Sequence, residues 1–327
     1  MPKSLSIVDP NADPHRISTA SNQLEGQRCT ELNEKPPEAT EIQNPVPIRT
    51  FRIGTFQADS VHAELEETHV PESDQIIIGR LDSPIPKQVA GPAVCALLAR
   101  ELETHCPGTD FIPARLTADL FSPVLNEPIA LQSAVIRSSN RMTVADASIV
   151  QRGQIRARAT ALFLLTAEQP PGEVWQPRPH LPAPHTRLVA PEGEPPLFKY
   201  GAAEWTDNFA AAQTADRKIM WQNLPPLIEG ETISPFQRAA ALGDATNLVC
   251  HWGSAGVGYI NTDMTLTLSR LPEGPELGLQ AQDHVASNGI AVGTATLYGR
   301  SGSLGTAVVT ALANVRRQVD LAGVMSS

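Results

Sequence analysis

The sequence predicts an α+β fold built twice in one chain, each copy a mostly apolar helix followed by an antiparallel meander of four strands. Three observations predict it. First, similar blocks recur about 148 residues apart: Leu116-Thr-Ala-Asp-Leu-Phe-Ser-Pro123 and Met142-Thr-Val-Ala-Asp-Ala-Ser-Ile149 match Met264-Thr-Leu-Thr-Leu-Ser-Arg-Leu-Pro272 and Ile290-Ala-Val-Gly-Thr-Ala-Thr-Leu297. A third pair, Thr160-Ala-Leu162 and Thr310-Ala-Leu312, reads with an offset longer by two. Second, an Ala-rich helical stretch precedes each set, at 91–103 and 234–249. Third, short polar turns separate the strand-like runs. Such a duplication puts the expected site at the seam between the copies.

The elements follow in chain order. Residues 1–50 are polar and Pro-rich without sustained periodicity, which reads as a disordered or loosely attached arm. The first unit, 51–168, opens with strands expected at 61–67 and 75–81. Gly91 to Glu103 is apolar almost all round, so its helix is buried on most sides, and Pro92 suits its first turn. Strands are then expected at 112–121, 129–138, 142–151 and 155–166. Residues 169–196 hold nine prolines and form an extended linker. In the second unit, 197–316, early strands are expected at 198–205 and 217–223, and Ser234 N-caps a helix with Pro235 behind it. Four strands follow at 259–268, 277–285, 290–298 and 304–315, and residues 317–327 form a tail. A long apolar helix wrapped by a strongly twisted antiparallel sheet is the hotdog arrangement. The expectation is a tandem, or double, hotdog: two antiparallel sheets, each around a central helix, paired edge to edge.

Composition narrows the function. Hydrophobic residues at 41% of 327 are enough for two cored units. A formal net charge of −10 argues against nucleic acid or an anionic membrane as the partner. No apolar run approaches bilayer length, and 1–11 has no apolar h-region of a secretory signal. The four cysteines are scattered, without metal-ligand spacing, and fit a reducing cytosol. Neither a metal nor a cofactor is expected.

Over roughly 55–316 the chain resembles the double-hotdog acyl-CoA thioesterases of the TesB-like, thioesterase-superfamily type. The resemblance rests on Val89-Ala-Gly-Pro-Ala-Val-Cys-Ala-Leu-Leu-Ala-Arg100 and Pro113-Ala-Arg-Leu-Thr-Ala-Asp-Leu-Phe-Ser-Pro123 in the first half. In the second half it rests on Pro226-Leu-Ile-Glu-Gly-Glu231, Arg238-Ala-Ala-Ala-Leu-Gly-Asp-Ala-Thr246 and Tyr259-Ile-Asn-Thr-Asp-Met-Thr-Leu-Thr-Leu268. It implies hydrolysis of an acyl thioester without a covalent intermediate, by water held between an Asp on the second helix, a Thr or Asn on the next strand, and a Gln on the last strand. The first two positions fall on Asp244 and Asn261. The Gln position falls on Val309, which cannot hydrogen-bond water, so this chain departs from the pattern there.

The residues carry the same reading. Asp244 interrupts an apolar helical run, and a carboxylate there must find partners or raise its pKa, as a general base for water would. Asn261 can orient water or a carbonyl. Gly91, at a helix N-terminus, is the expected oxyanion element, since an N–H there meets developing negative charge and no Cβ blocks the approach. His251, Thr265 and Val309 are expected to line the substrate pocket. Arg137, Arg141, Arg152, Arg156 and Arg158 are candidates to meet phosphates. Two functions remain: a thioesterase, or a double hotdog recruited to isomerisation, dehydration or cyclisation of a polyketide-like intermediate, with Val309 as the adaptation. The substrate is a small acyl thioester or polyketide-like molecule in either case, and assembly into a homo-oligomer is left open.

Overall fold

The computed structural model describes residues 88–175, 180–186, 195–228, 231–316 and 318–324. The N-terminal arm and the strands expected at 61–67 and 75–81 lie outside the described residues. In chain order the elements are helix α1 (Gly91–Glu103), strands β1 (Phe111–Leu120), β2 (Ala130–Ser138), β3 (Met142–Gln151), β4 (Gln154–Leu165) and β5 (Leu197–Tyr200), the single turn α2 (Phe209–Ala212), and β6 (Lys218–Asn223). Then come α3 (Pro235–Asp244), α4 (Thr246–His251), the two-residue strands β7 (Trp252–Gly253) and β8 (Gly256–Val257), β9 (Tyr259–Asn261), β10 (Asp263–Leu268), β11 (Glu276–Ser287), β12 (Ile290–Gly299), β13 (Gly302–Ala313) and α5 (Leu321–Val324).

The two expected sheets are one. Eleven antiparallel strands run β2-β3-β4-β1-β10-β13-β12-β11-β6-β5, with β9 beside β13. The halves join where β1 pairs β10, which satisfies the main-chain groups of two strands that would otherwise be edges. In that pairing Thr117 stands opposite Thr265, its own repeat equivalent 148 residues on, and their hydroxyls are 3.2 Å apart. The internal two-fold axis therefore passes between these threonines.

The register corrects one detail of the repeat. Met142 pairs with Leu164 and Ile290 with Leu312, so Leu164, not Leu162, is the equivalent of Leu312. The offset stays at 148 through the third block, and the shared Thr-Ala-Leu string is a coincidence two residues out of phase. Even a β-bulge repeats, between Ile149 and Val150 and between Leu297 and Tyr298.

Helix α1 lies on β1 to β4 and against α3, while α3 and α4 lie on strands of the second half. The core is the inward face of this sheet plus the helices: Val94, Leu97, Leu98, Leu102, Leu116, Ile149 and Phe163 from one half, Phe236, Leu242, Met264, Leu266, Leu279 and Leu297 from the other. Small residues let helix and sheet approach closely. A side chain on Gly243 would stand 3.3 Å from the Met264 sulfur. The described part of the Pro-rich linker is held on the second half, where Tyr298 donates to the Pro182 carbonyl at 2.5 Å and Arg300 to that of Pro184 at 3.1 Å.

Candidate active site

Asp244 closes α3, and Ala245 keeps helical dihedrals, so the chain runs on into α4. The residue is 6% exposed, deep in the seam between α3 and α1. Its Oδ1 accepts from Asn261 Nδ2 at 2.9 Å and lies 3.9 Å from the Cys95 sulfur. Its Oδ2 lies 2.3 Å from the point where a side chain on Gly91 would begin. A residue other than glycine at 91 would collide with the carboxylate. Burial pushes the Asp244 carboxyl up to about 6, against the opposing hydrogen bonds from Asn261 and Cys95.

Asn261 reaches Asp244 because the strand carrying it is irregular. Asn261 pairs with Ala311 on β13, while Thr265 pairs with Val308, so the β9–β10 side holds one residue more than β13 between those pairs. Asp263 steadies the irregularity by accepting from the Thr310 N–H at 2.7 Å, and Thr262 N–H donates to the Thr310 carbonyl at 2.8 Å. This bulge turns Asn261 to the same inward face as Met264 and Leu266. It also corrects Thr265, which shares the outward face of β10 with Asp263 and Thr267 and sits on the two-fold axis, away from Asp244. Alternation counted straight from Asn261 puts Thr265 on the inner face, and the extra residue reverses it.

At the start of α1, Ala90 is the N-cap residue and supplies no side-chain cap. Pro92 has no N–H, and the Ala93 and Val94 N–H groups turn back to the Ala90 carbonyl. The N–H of Gly91 thus belongs to an uncapped helix N-terminus beside Asp244, an arrangement suited to a developing oxyanion.

Val309 is fully buried on the inward face of β13 between Ala307 and Ala311, and Ala311 is the pairing partner of Asn261. Thr310 faces the other way, and its main chain serves the bulge. His251 lies at the end of α4 in a cluster of its own. Its ring is 5.3 Å from that of Tyr259 and 5.0 Å from that of His284, and Nδ1 is 2.8 Å from Asn247 Oδ1. Burial, then His284, pulls His251 down to about 4, so it is neutral near pH 7. The structure therefore unites Gly91, Asp244 and Asn261, with Val309 nearby by register, and sets His251 and Thr265 apart. Among the five arginines, Arg152 pairs with Glu127 and Arg158 with Asp146. Among the described residues no group of three or more His, Cys, Asp or Glu is arranged to hold a metal.

Two further residues lie near these groups and were not singled out as candidates from the sequence. Cys95 is fully buried and stands one helical turn beyond Gly91, on the α1 face that meets Asp244. Asn247 joins the site's strand to the His251 cluster, donating to the Tyr259 carbonyl at 3.1 Å. Spacing along the helix, three residues from Asp244, marks Asn247 as a neighbour of that face.

The family models decide the relationship. The acyl-CoA thioesterase N-terminal domain matches residues 82–164, and the acyl-CoA thioesterase C-terminal domain matches 170–312. The chain belongs to the acyl-CoA thioesterase family. Among solved structures it is similar to the tesB protein of Mycobacterium avium subs paratuberculosis, at 14% identity and a TM-score of 0.52, over 69% of this chain and 88% of that one. Acyl-CoA thioesterase II TesB2 of Mycobacterium marinum matches at 12% identity and a TM-score of 0.52, over 68% and 90%. A conserved protein of unknown function with hot dog fold from Alicyclobacillus acidocaldarius matches at 18% identity and a TM-score of 0.52, over 69% and 91%. At these identities the likeness establishes the hotdog fold. No curated protein matches the sequence. Among the described residues no helix is long and apolar enough to cross a membrane.

Proposed function

We propose that this chain is a tandem hotdog that hydrolyses an acyl thioester by direct attack of water. The observation that carries the reading is the meeting of Asp244, Asn261 and the uncapped Gly91 end of α1 in one buried place. Water gives a proton to Asp244 Oδ2 while its oxygen attacks the thioester carbonyl carbon. The carbonyl oxygen gains negative charge against the Gly91 N–H. Collapse breaks the C–S bond, and the departing sulfur takes the proton back from Asp244. A carboxyl lifted to about 6 suits both halves of this exchange near neutral pH. Its raised value also means that the working base is lost as pH falls through about 6. The three free cysteines among the described residues accord with a reducing cytosol.

A second reading has one observation behind it, the apolar Val309 on the inward face of β13. A site recruited to isomerisation, dehydration or cyclisation of a polyketide-like thioester would keep Asp244 as base and have no need of a third group on water. The test is thiol release from short, medium and long acyl-CoA substrates by wild type and Val309→Gln across pH 5 to 9. Hydrolysis predicts wild-type turnover whose kcat/KM rises with pH through a midpoint near 6. Absence of turnover in wild type, with activity gained in Val309→Gln, would sink hydrolysis in favour of the recruited site.

A further inference from the structure

The two oxygens of Asp244 are unlike. Oδ1 has Asn261 Nδ2 at 2.9 Å and Cys95 Sγ at 3.9 Å, whereas Oδ2 is turned to the start of α1, 2.3 Å from where a side chain on Gly91 would begin. We propose that Cys95 is a positioning residue of this site: its S–H and the Asn261 amide together hold Oδ1, which fixes Oδ2 as the oxygen that takes and returns the proton.

The geometry gives the thiol this part. Cys95 lies one turn along α1 from Gly91, so the same packing of α1 on α3 that brings Gly91 to Oδ2 brings the sulfur to Oδ1. The residue is fully buried, leaving its side chain no solvent to face. Burial and the adjoining carboxylate hold the thiol well above its usual value, so it stays S–H and acts as a donor rather than a nucleophile. A thiol is a weak donor. It orients the carboxylate while lowering its basicity less than a hydroxyl in the same place would. The site is then assembled from both halves of the chain in equal measure, Gly91 and Cys95 from the first, Asp244 and Asn261 from the second.

This inference rests on Asp244 as the working base, but its test does not require hydrolysis. The full chain, labelled with ¹³C at aspartate carboxyls, is titrated by NMR as wild type, Cys95→Ala and Cys95→Ser, with Asp244→Asn to assign the resonance and thermal melts to confirm folding. The expected result is an Asp244 midpoint raised by about 0.5 in Cys95→Ala, the size expected for one lost weak hydrogen bond. In Cys95→Ser the midpoint falls below the wild-type value. Midpoints that coincide in all three folded chains overturn the proposal. If the Ala variant does not fold, the Ser variant decides alone, by a lowered or an unmoved midpoint. Thiol release measured on the same samples should drop in Ala and return in Ser. A chain that shows the shifts but hydrolyses no thioester removes the hydrolytic reading and leaves Cys95 in place. A chain that hydrolyses without the shifts does the reverse.

Discussion

The two halves share strands, register and bulges, yet the same seat is built from opposite chemistry in each. In the second half the seat holds Asn261 opposite Ala311. In the first half the equivalent pair, 148 residues earlier, is Pro113 opposite Phe163. Both sit at a bulge, at Thr262 in one and between Pro113 and Arg115 in the other. Proline is tolerated there because a bulge has no ladder bond for it to break. Phe163 is fully buried and meets Phe236 edge to face at 6.5 Å, so aromatic rings fill the space. The helix starts differ in the same sense. At α1 the N-terminus is uncapped and faces Asp244. At α3, Ser234 accepts from the Gln237 N–H at 3.1 Å and donates to Glu103 at 2.6 Å, and Gln237 donates to the other Glu103 oxygen at 2.8 Å. One seat sets the polar Asn261 beside an uncapped helix start; the other ties its helix cap to Glu103 and packs aromatic rings. Each seat takes its helix start from one half and its strand pair from the other.

Two substitutions sharpen that contrast. Phe163→Ala empties the filled seat and should cost about 3–5 kcal/mol of stability, as large core truncations do, with thiol release per folded molecule little changed. Urea denaturation alongside turnover checks it, and a large loss of turnover in the folded fraction would mean that the filled seat takes part. Gly91→Ala drives a methyl group into Asp244 at the open seat. Displacing the carboxylate and the N–H by about an ångström should lower kcat/KM by about 100-fold, with a smaller effect on stability. Steady-state kinetics measures it, and near-wild-type turnover would remove Gly91 from the site.

Much of this was legible in the sequence. The duplication, the four strands of each meander, α1 and the placing of Asp244 on the second helix follow from periodicity and repeat spacing, which are local signals. What was not legible is non-local. The bulge at Thr262 has no marked turn residue, so strict alternation misassigned Thr265, although it did not hide Asn261. The contact of Cys95 with Asp244 depends on how two helices cross, and a buried cysteine looks the same in sequence whether it packs or donates. The edge-to-edge join of the sheets was expected, but its register, with Thr117 opposite Thr265, is one no local pattern announces. His251 is near Asp244 along the helix but joins Tyr259 and His284 instead, because β9 brings the tyrosine ring to it.

The two seats differ in chemistry, and the proposed function requires that they differ in activity too. The most direct measurement compares thiol release by Asp244→Asn, in the open seat, with Ser234→Ala, in the filled one, against wild type and corrected for folded fraction. Asp244→Asn is expected to lower kcat/KM by about 10²–10⁴, the usual contribution of a general base. Wild-type turnover is expected for Ser234→Ala, whose loss is a helix cap of about 1 kcal/mol. Equal turnover in the two variants would contradict the proposed function.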